Sequence, residues 1–265
     1  MYVLLNCATA EDGNFSFSGE VPDEIRNLSK SGNIGYNYTE QNCSLPLPSS
    51  VESTKIISDP FELLAKSWSQ DTSVCNWIGV TCGSLHHRVT SLNISNMDLT
   101  GIIPQYFGNL TFLVSLDLRS NSFYGTLPQE MAHLHRLKIV RLSYNNFSGE
   151  IPSWFGFFAQ LQVLTLRNNS FTGLVPYSIS NISNLATLNL AFNALEGQIP
   201  KDIGNLKILK RFSFESNNLT GSIPPSFSNT SKLETLILSK NFLHGNIPNG
   251  IGDLHNLNWL TIETN

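Results

Sequence analysis

Residues 137–160 read LKIVRLSYNNFSGEIPSWFGFFAQ, and this 24-residue frame recurs without insertion or deletion from Val89 onward. It restarts at Leu113, Leu137, Leu161, Leu185, Leu209, Leu233 and Leu257, and the last start reaches its ninth position at Asn265. Apolar residues fall at positions 1, 4, 6 and 11, asparagine at 9, glycine at 13 and proline at 16. Self-similarity at this period predicts a solenoid whose coils bury their apolar faces only against one another.

Within each coil, positions 3 to 7 alternate apolar and polar, which predicts a short strand with one buried face. In the second coil Leu116 and Leu118 point inward, and Ser115, Asp117 and Arg119 point to solvent. Stacking the coils builds one parallel sheet with neighbours about 4.8 Å apart. The asparagines at position 9 (Asn121, Asn145, Asn169, Asn193, Asn217, Asn241, Asn265) sit where the chain leaves the strand. Their amides donate and accept, so a stack of them satisfies backbone groups left buried by the turn. Met97 breaks the row in the first coil, as an end unit packed on a cap would. Glycine at position 13 supplies freedom for a tight bend, and proline at 16 marks the outer, loop-like side.

Charged residues make up only 14% of the chain, against roughly 25% for an average globular protein, so asparagine and serine carry much of the polar surface. The net charge of −4 is spread along the chain and predicts no basic stripe, which argues against nucleic acid as a partner. No apolar run approaches the roughly 18 residues of a bilayer span. Eleven N-x-S/T sequons occur: Asn14, Asn27, Asn37, Asn42, Asn93, Asn109, Asn146, Asn168, Asn181, Asn218 and Asn229. Their abundance agrees with a secreted, glycosylated surface. Cys75 and Cys82 stand in CNWIGVTC, too far apart for a CxxC knuckle. A disulfide in an oxidising compartment is the preferred use, with two buried free thiols as the alternative. Cys7 and Cys43 form a second possible pair that nothing in the sequence constrains.

The motif GxIP, as in Gly149-Glu150-Ile151-Pro152 and Gly221-Ser222-Ile223-Pro224, resembles the plant-specific class of leucine-rich repeats over residues 89 to 265. The preceding SWSQDTSVCNWIGVTCGSLHHRVTSLNIS is similar to the end of the amino-terminal cap of plant receptor-like kinases and receptor-like proteins. The closest resemblance is to the receptor-kinase subfamily that includes pattern-recognition immune receptors. It implies an α/β leucine-rich repeat solenoid with its parallel sheet on the concave face and a partial amino-terminal cap. It further implies a Cys75–Cys82 disulfide with Trp77 packed beside it, and Phe61 to Lys66 as the end of a cap helix. The expected layout is an atypical segment at 1–54, a cap at 55–88, and seven full repeats with part of an eighth at 89–265. Residues 14–28 resemble half a repeat out of place, and 32–60 read as loop or disorder. The start shows no signal peptide and the last repeat stops at its turn. These ends lead to the expectation of a fragment of a longer ectodomain, poorly soluble because its apolar end is uncapped.

No phosphate loop, GxSxG elbow, HExxH or kinase signature is present, the six histidines form no metal set, and neither enzyme nor cofactor is expected. What the repeat leaves free is the solvent side of the sheet. Positions 3, 5, 7 and 8 there carry Arg119, Arg141, Tyr144, Arg167, Phe192, Arg211, Glu215 and Trp259. Arg119, Arg141 and Arg167 fall on three consecutive strands and are expected to form one cationic cluster for a carboxylate, with Tyr144 and Phe192 as aromatic anchors. The opposing expectation is a row of solvated ladder residues, with Asp117 and Glu215 neutralising their neighbours. The resemblance implies a peptide or microbial pattern as ligand, a leucine-rich repeat co-receptor kinase as partner, and a kinase elsewhere in the parent protein. The alternatives are a soluble inhibitor or decoy, and a piece of a gene whose activity resides in a Ser/Thr kinase.

Overall fold

In the computed structural model, which describes residues 57–69 and 71–265, each 24-residue frame is one coil of a stack with two sheets. The inner sheet has nine strands, from Val80–Cys82 and Val89–Asn93 through Ser115–Asp117, Ile139–Arg141 and Val163–Thr165 to Trp259–Thr261. All pairs are parallel from Val89 onward, and equal frame positions face each other, Leu164 against Leu188 for example. Regular strand spans positions 3 to 5 rather than 3 to 7. The hydrogen-bond ladder nevertheless runs on, with Leu118 N–H donating to Arg141 O at 2.9 Å and Ser120 N–H to Ser143 O at 3.0 Å.

The strand stops because position 8 is left-handed in every coil: φ is 54° at Ser120, 58° at Tyr144, 54° at Asn168 and 56° at Phe192. An L residue there is held about 1–2 kcal/mol above its preferred backbone. The asparagine that follows holds this turn. Asn145 donates from Nδ2 to Leu118 O and Leu142 O, each at 3.0 Å, and accepts Phe123 N–H at Oδ1 at 3.0 Å. Asn169, Asn193, Asn217 and Asn241 repeat the pattern. At the cap end Asn121 accepts from both Met97 N–H and Leu99 N–H, so the coil without its own rung is served by its neighbour.

A second, eight-stranded sheet occupies positions 10 to 14, as in Asn146–Glu150 and Ser170–Leu174, and the repeat pattern did not announce it. Its parallel strands pair with an offset, Phe171 facing Gly149 and Gly173 facing Leu195. Gly173 has φ 73°, a region that favours glycine, and lets the strand turn there. The prolines at position 16 lead into 3₁₀ turns such as Ser153–Phe157, accepting at their carbonyls from the third residue on. Between the layers lie the predicted core positions, with Phe123, Phe147 and Phe171 stacked at 6.2 and 6.4 Å. Each such ring contributes roughly 1.5–3 kcal/mol through burial.

The amino-terminal end closes both sheets. Val80–Cys82 pairs antiparallel with Val89–Asn93, and Ile57–Ser58 antiparallel with Thr100–Gly101. Residues 57–60 are therefore ordered structure and not the expected loop. Asp59 accepts the N–H groups of Leu63, Leu64 and Ala65 at 2.7–3.0 Å and so starts the single helical turn Leu63–Ser67. Cys75 and Cys82 form a disulfide with Cα atoms 5.4 Å apart, and buried Trp77 stacks on Trp68 at 5.6 Å. Cys7, Cys43, the four sequons before residue 43 and the half-repeat at 14–28 lie outside the described residues. At the other end of the stack Trp259 and Leu260 of the last inner strand are exposed, beside an open cleft of 560 Å³ that also touches Ile247, Leu254 and Leu257. No helix among the described residues is long and apolar enough to cross a membrane.

Candidate ligand-binding face

The solvent side of the inner sheet is shaped by positions 7 and 8 together. Long side chains alternate between them from coil to coil: Arg119 beside Ser120, then Ser143 beside Tyr144, Arg167 beside Asn168, Ala191 beside Phe192, Glu215 beside Ser216, Ser239 beside Lys240. The small partners Ser143, Ala191 and Ser239 are 4% exposed or less, because long chains of the adjacent coils lie over them. This two-coil period is visible in the sequence once the coils are aligned in columns.

The expected three-arginine cluster is divided. Asp117, placed on the solvent side by its register, is only 4% exposed. Arg119 clamps it with Nε at 2.9 Å and Nη2 at 2.8 Å, and Arg141 reaches it from the next coil at 3.7 Å. Two long side chains cover the carboxylate that alternation alone would leave in water. The hydrogen bond to Asp117 holds the Arg119 guanidinium above its ordinary pKa against the opposing cost of burial, so it is charged at every physiological pH. Arg141 makes the longer contact and keeps about a third of its side chain open (35% exposed).

Arg167 belongs to a second group. Its Nε donates to Tyr144 Oη at 3.2 Å, and its Cζ sits 4.3 Å from the Phe192 ring centroid. Lys240 Nζ lies 5.9 Å from the centroid of the same ring and binds Glu215 at 3.2 Å. Tyr144, Arg167, Phe192, Lys240 and Glu215 thus form one continuous line across five coils. Lys240 is a functional candidate that the sequence alone does not mark, since a lone lysine at position 8 gains meaning only with Glu215 and Phe192 beside it. Tyr144 and Phe192 are not free of the fold's demands as expected, for both occupy the left-handed turn. Arg211 is exposed two coils from exposed Trp259, with Thr235 between them in register, so these two stand outside the line.

Of the sequon asparagines, Asn93 at position 5 and Asn168 at position 8 share the columns of this face, and Asn109, Asn146, Asn181, Asn218 and Asn229 fall on other columns. Asn93, Asn146, Asn168, Asn181, Asn218 and Asn229 are exposed and Asn109 is half-buried. Nor are the cations evenly spread, contrary to the reading of the net charge: several gather on the flank formed by positions 23, 24 and 2, described below.

Comparison with known proteins agrees with this architecture. Family models for leucine-rich repeats match residues 87–147, 136–195, 209–230 and 232–254, and a leucine-rich repeat N-terminal domain matches 55–83. The chain is 51% identical over 77 residues to the LRR receptor-like serine/threonine-protein kinase EFR of Arabidopsis thaliana, covering 29% of this chain and 7% of that protein. Among solved structures, PEPR1-AtPEP1 superposes at TM-score 0.75 with 34% identity, covering 79% of this chain and 30% of that chain. The Arabidopsis receptor kinase HAESA, with the peptide hormone IDA and the co-receptor SERK1, gives TM-score 0.63 at 33% identity, covering 78% and 40%. The chain therefore spans a small part of these proteins, and the matched kinases align with it through the repeats. With its coils, its disulfide-bonded cap and these matches taken together, the chain belongs to the leucine-rich repeat family and is similar to plant receptor ectodomains.

Proposed function

We propose that this chain is the ligand-binding part of a plant receptor ectodomain, and that the solvent side of its inner sheet holds a peptide. The observation that carries the reading is that Arg141 and Arg167 stand on adjacent coils of one face, Arg141 in the strand Ile139–Arg141 and Arg167 just past the strand Val163–Thr165. Each is half-buried and held on one edge by an internal partner, Asp117 or Tyr144, and each has a guanidinium edge left for a second acceptor. A preset fork binds a carboxylate bidentately at little entropic cost. Phe192 and Tyr144 supply the rigid rings that anchor such contacts. The similar HAESA structure holds a receptor kinase with a peptide hormone and a co-receptor, which supports a peptide ligand and a co-receptor kinase as partners here.

In this reading residues 55–88 shield the first coil, residues 89–265 bind, and the seven sequons from Asn93 to Asn229 carry glycans on an extracellular surface. A membrane anchor and a Ser/Thr kinase belong to the parent protein, and the signal concerns immunity or development. The test is calorimetric titration of the chain with a panel of synthetic plant signalling peptides, each as free acid and as carboxy-terminal amide. The acid form of at least one is bound, more tightly than its amide, and R141A/R167A abolishes the difference. Equal binding by the double variant would overturn the proposal.

A further inference from the structure

A flank of the stack that the inner-sheet face does not use has its own order. Position 2 forms a ladder of hydrogen bonds from coil to coil: Lys138 N–H to Val114 O, Gln162 N–H to Lys138 O and Lys210 N–H to Ala186 O, all at 2.8 Å. Side chains at position 2 therefore stand in a column, about 4.8 Å apart. Position 24 makes a parallel column. There Phe112 lies between the guanidinium carbons of Arg88 at 5.3 Å and Arg136 at 4.2 Å. Farther along, Asn184 Nδ2 donates to Ala159 O at 2.8 Å. Position 1 between the columns is buried, so both columns project to one side.

This flank is basic on a chain whose net charge is −4. Positions 23, 24 and 2 bring together Arg88, Arg136, Lys138, Lys207, Lys210 and Lys232, all exposed except half-buried Arg88. Glu234 is the one acid in columns 24 and 2, and it is bound to Lys210 at 3.3 Å. The cations form two groups, Arg136 with Lys138 and the lysines at 207, 210 and 232, about 14 Å apart at three coils' separation. Exposed Gln160 and Gln162 fill the interval, and no sequon falls in either column.

We propose that this flank binds a linear polysaccharide bearing carboxylates, laid along the stack across columns 24 and 2. Two cationic groups separated by amides suit a chain that is anionic and hydroxylated along its length. An amide donates and accepts, as sugar hydroxyls do, whereas a phosphodiester backbone only accepts. A protein partner fits less well. Interfaces are enriched in aromatic anchors and depleted of lysine, and here lysine dominates while the one ring, Phe112, has a guanidinium at either side. The site shares no residue with the peptide face, so either proposal can fail without the other.

The experiment passes the full 265-residue chain over immobilised polygalacturonate, with the fully methyl-esterified polymer and a DNA duplex of matched charge as controls. The acidic polymer retains the chain, retention falls with added salt, and the esterified polymer does not bind. R136Q/K138Q/K232Q lowers affinity at low salt on the order of 100-fold. K201Q, a single charge removal on the outer side, leaves it unaltered, whereas K138Q alone lowers it. Circular dichroism and the thermal midpoint establish that these variants are folded. Absence of retention, undiminished retention by the triple variant, or equal retention by esterified polymer or by DNA would each overturn the proposal.

Discussion

Asn145 joins two coils through one side chain: Nδ2 donates to Leu118 of the preceding coil and to Leu142 of its own, both at 3.0 Å. The residue is 6% exposed, so its removal leaves the Phe123 N–H without its partner, while Leu118 O keeps Asn121 Nδ2 and Leu142 O keeps Asn169 Nδ2. Asn145→Ala is expected to lower stability by about 1–3 kcal/mol. Asn265→Ala, at an exposed end rung, should cost less than about 1 kcal/mol. Thermal and urea unfolding of both variants check this, and equal losses would show that the rungs do not work through burial.

Gly204 illustrates a constraint between coils that the repeat consensus conceals. A Cβ there would sit 2.1 Å from Ser226 O of the next coil, and at Gly108 and Gly156 it would meet Glu130 O at 2.2 Å and Ser178 O at 2.5 Å. These contacts are to backbone, which cannot swing aside. The intervening coils carry Ala132, Ser180 and Ser228 at the same frame position, so close approach alternates along the stack. Gly204→Ala is expected to destabilise by about 1–3 kcal/mol through overpacking. Ser180→Ala should change stability little, since its hydroxyl is already buried without a partner. Comparing the two melting midpoints separates steric spacing from any general intolerance of this turn.

The inward positions, the asparagine rungs and the proline turns were all legible in the sequence because each repeats at a fixed frame position for one physical reason. Features that depend on two coils at once were not. Asp117 is buried by Arg119 and Arg141, and only the stacking brings the second arginine over it. The outer sheet escaped notice because its segments, such as Ser170–Leu174, mix glycine with polar residues and pair with the next coil at an offset. At position 8 only Asn96 and Asn168 are of a type that signals the left-handed turn, and Ser120, Tyr144, Phe192, Ser216 and Lys240 mask it in other coils.

Arg167 and Phe192 provide a measure of what offsets that backbone strain. Their 4.3 Å contact, at a half-buried site, is of a size to contribute roughly 0.5–1 kcal/mol. A double-mutant cycle with Arg167→Ala and Phe192→Leu should return a coupling energy in that range. Adding Phe192→Gly, which relieves the left-handed strain but removes the ring, should leave stability within about 1 kcal/mol of the parent. A coupling indistinguishable from zero would mean that the line from Tyr144 to Glu215 is a set of independent surface residues.

Asp117 decides how much of the arginine pair a ligand meets. Its carboxylate is fully engaged by Arg119 at two short contacts, while Arg141 holds it only at 3.7 Å. Asp117→Asn keeps the shape, removes the negative charge and turns both forks toward solvent. Affinity for an acidic peptide is then expected to rise by about 3- to 10-fold at low salt, with the gain erased near 1 M salt. Stability should fall by about 1–2 kcal/mol, since both arginines are partly exposed and water takes over much of the lost interaction. The two effects have opposite signs, so one protein preparation tests both by calorimetry and chemical unfolding. If Asp117→Asn instead weakened acidic-peptide binding, the carboxylate would have to act by holding Arg141 in place, and the peptide face would centre on Arg167.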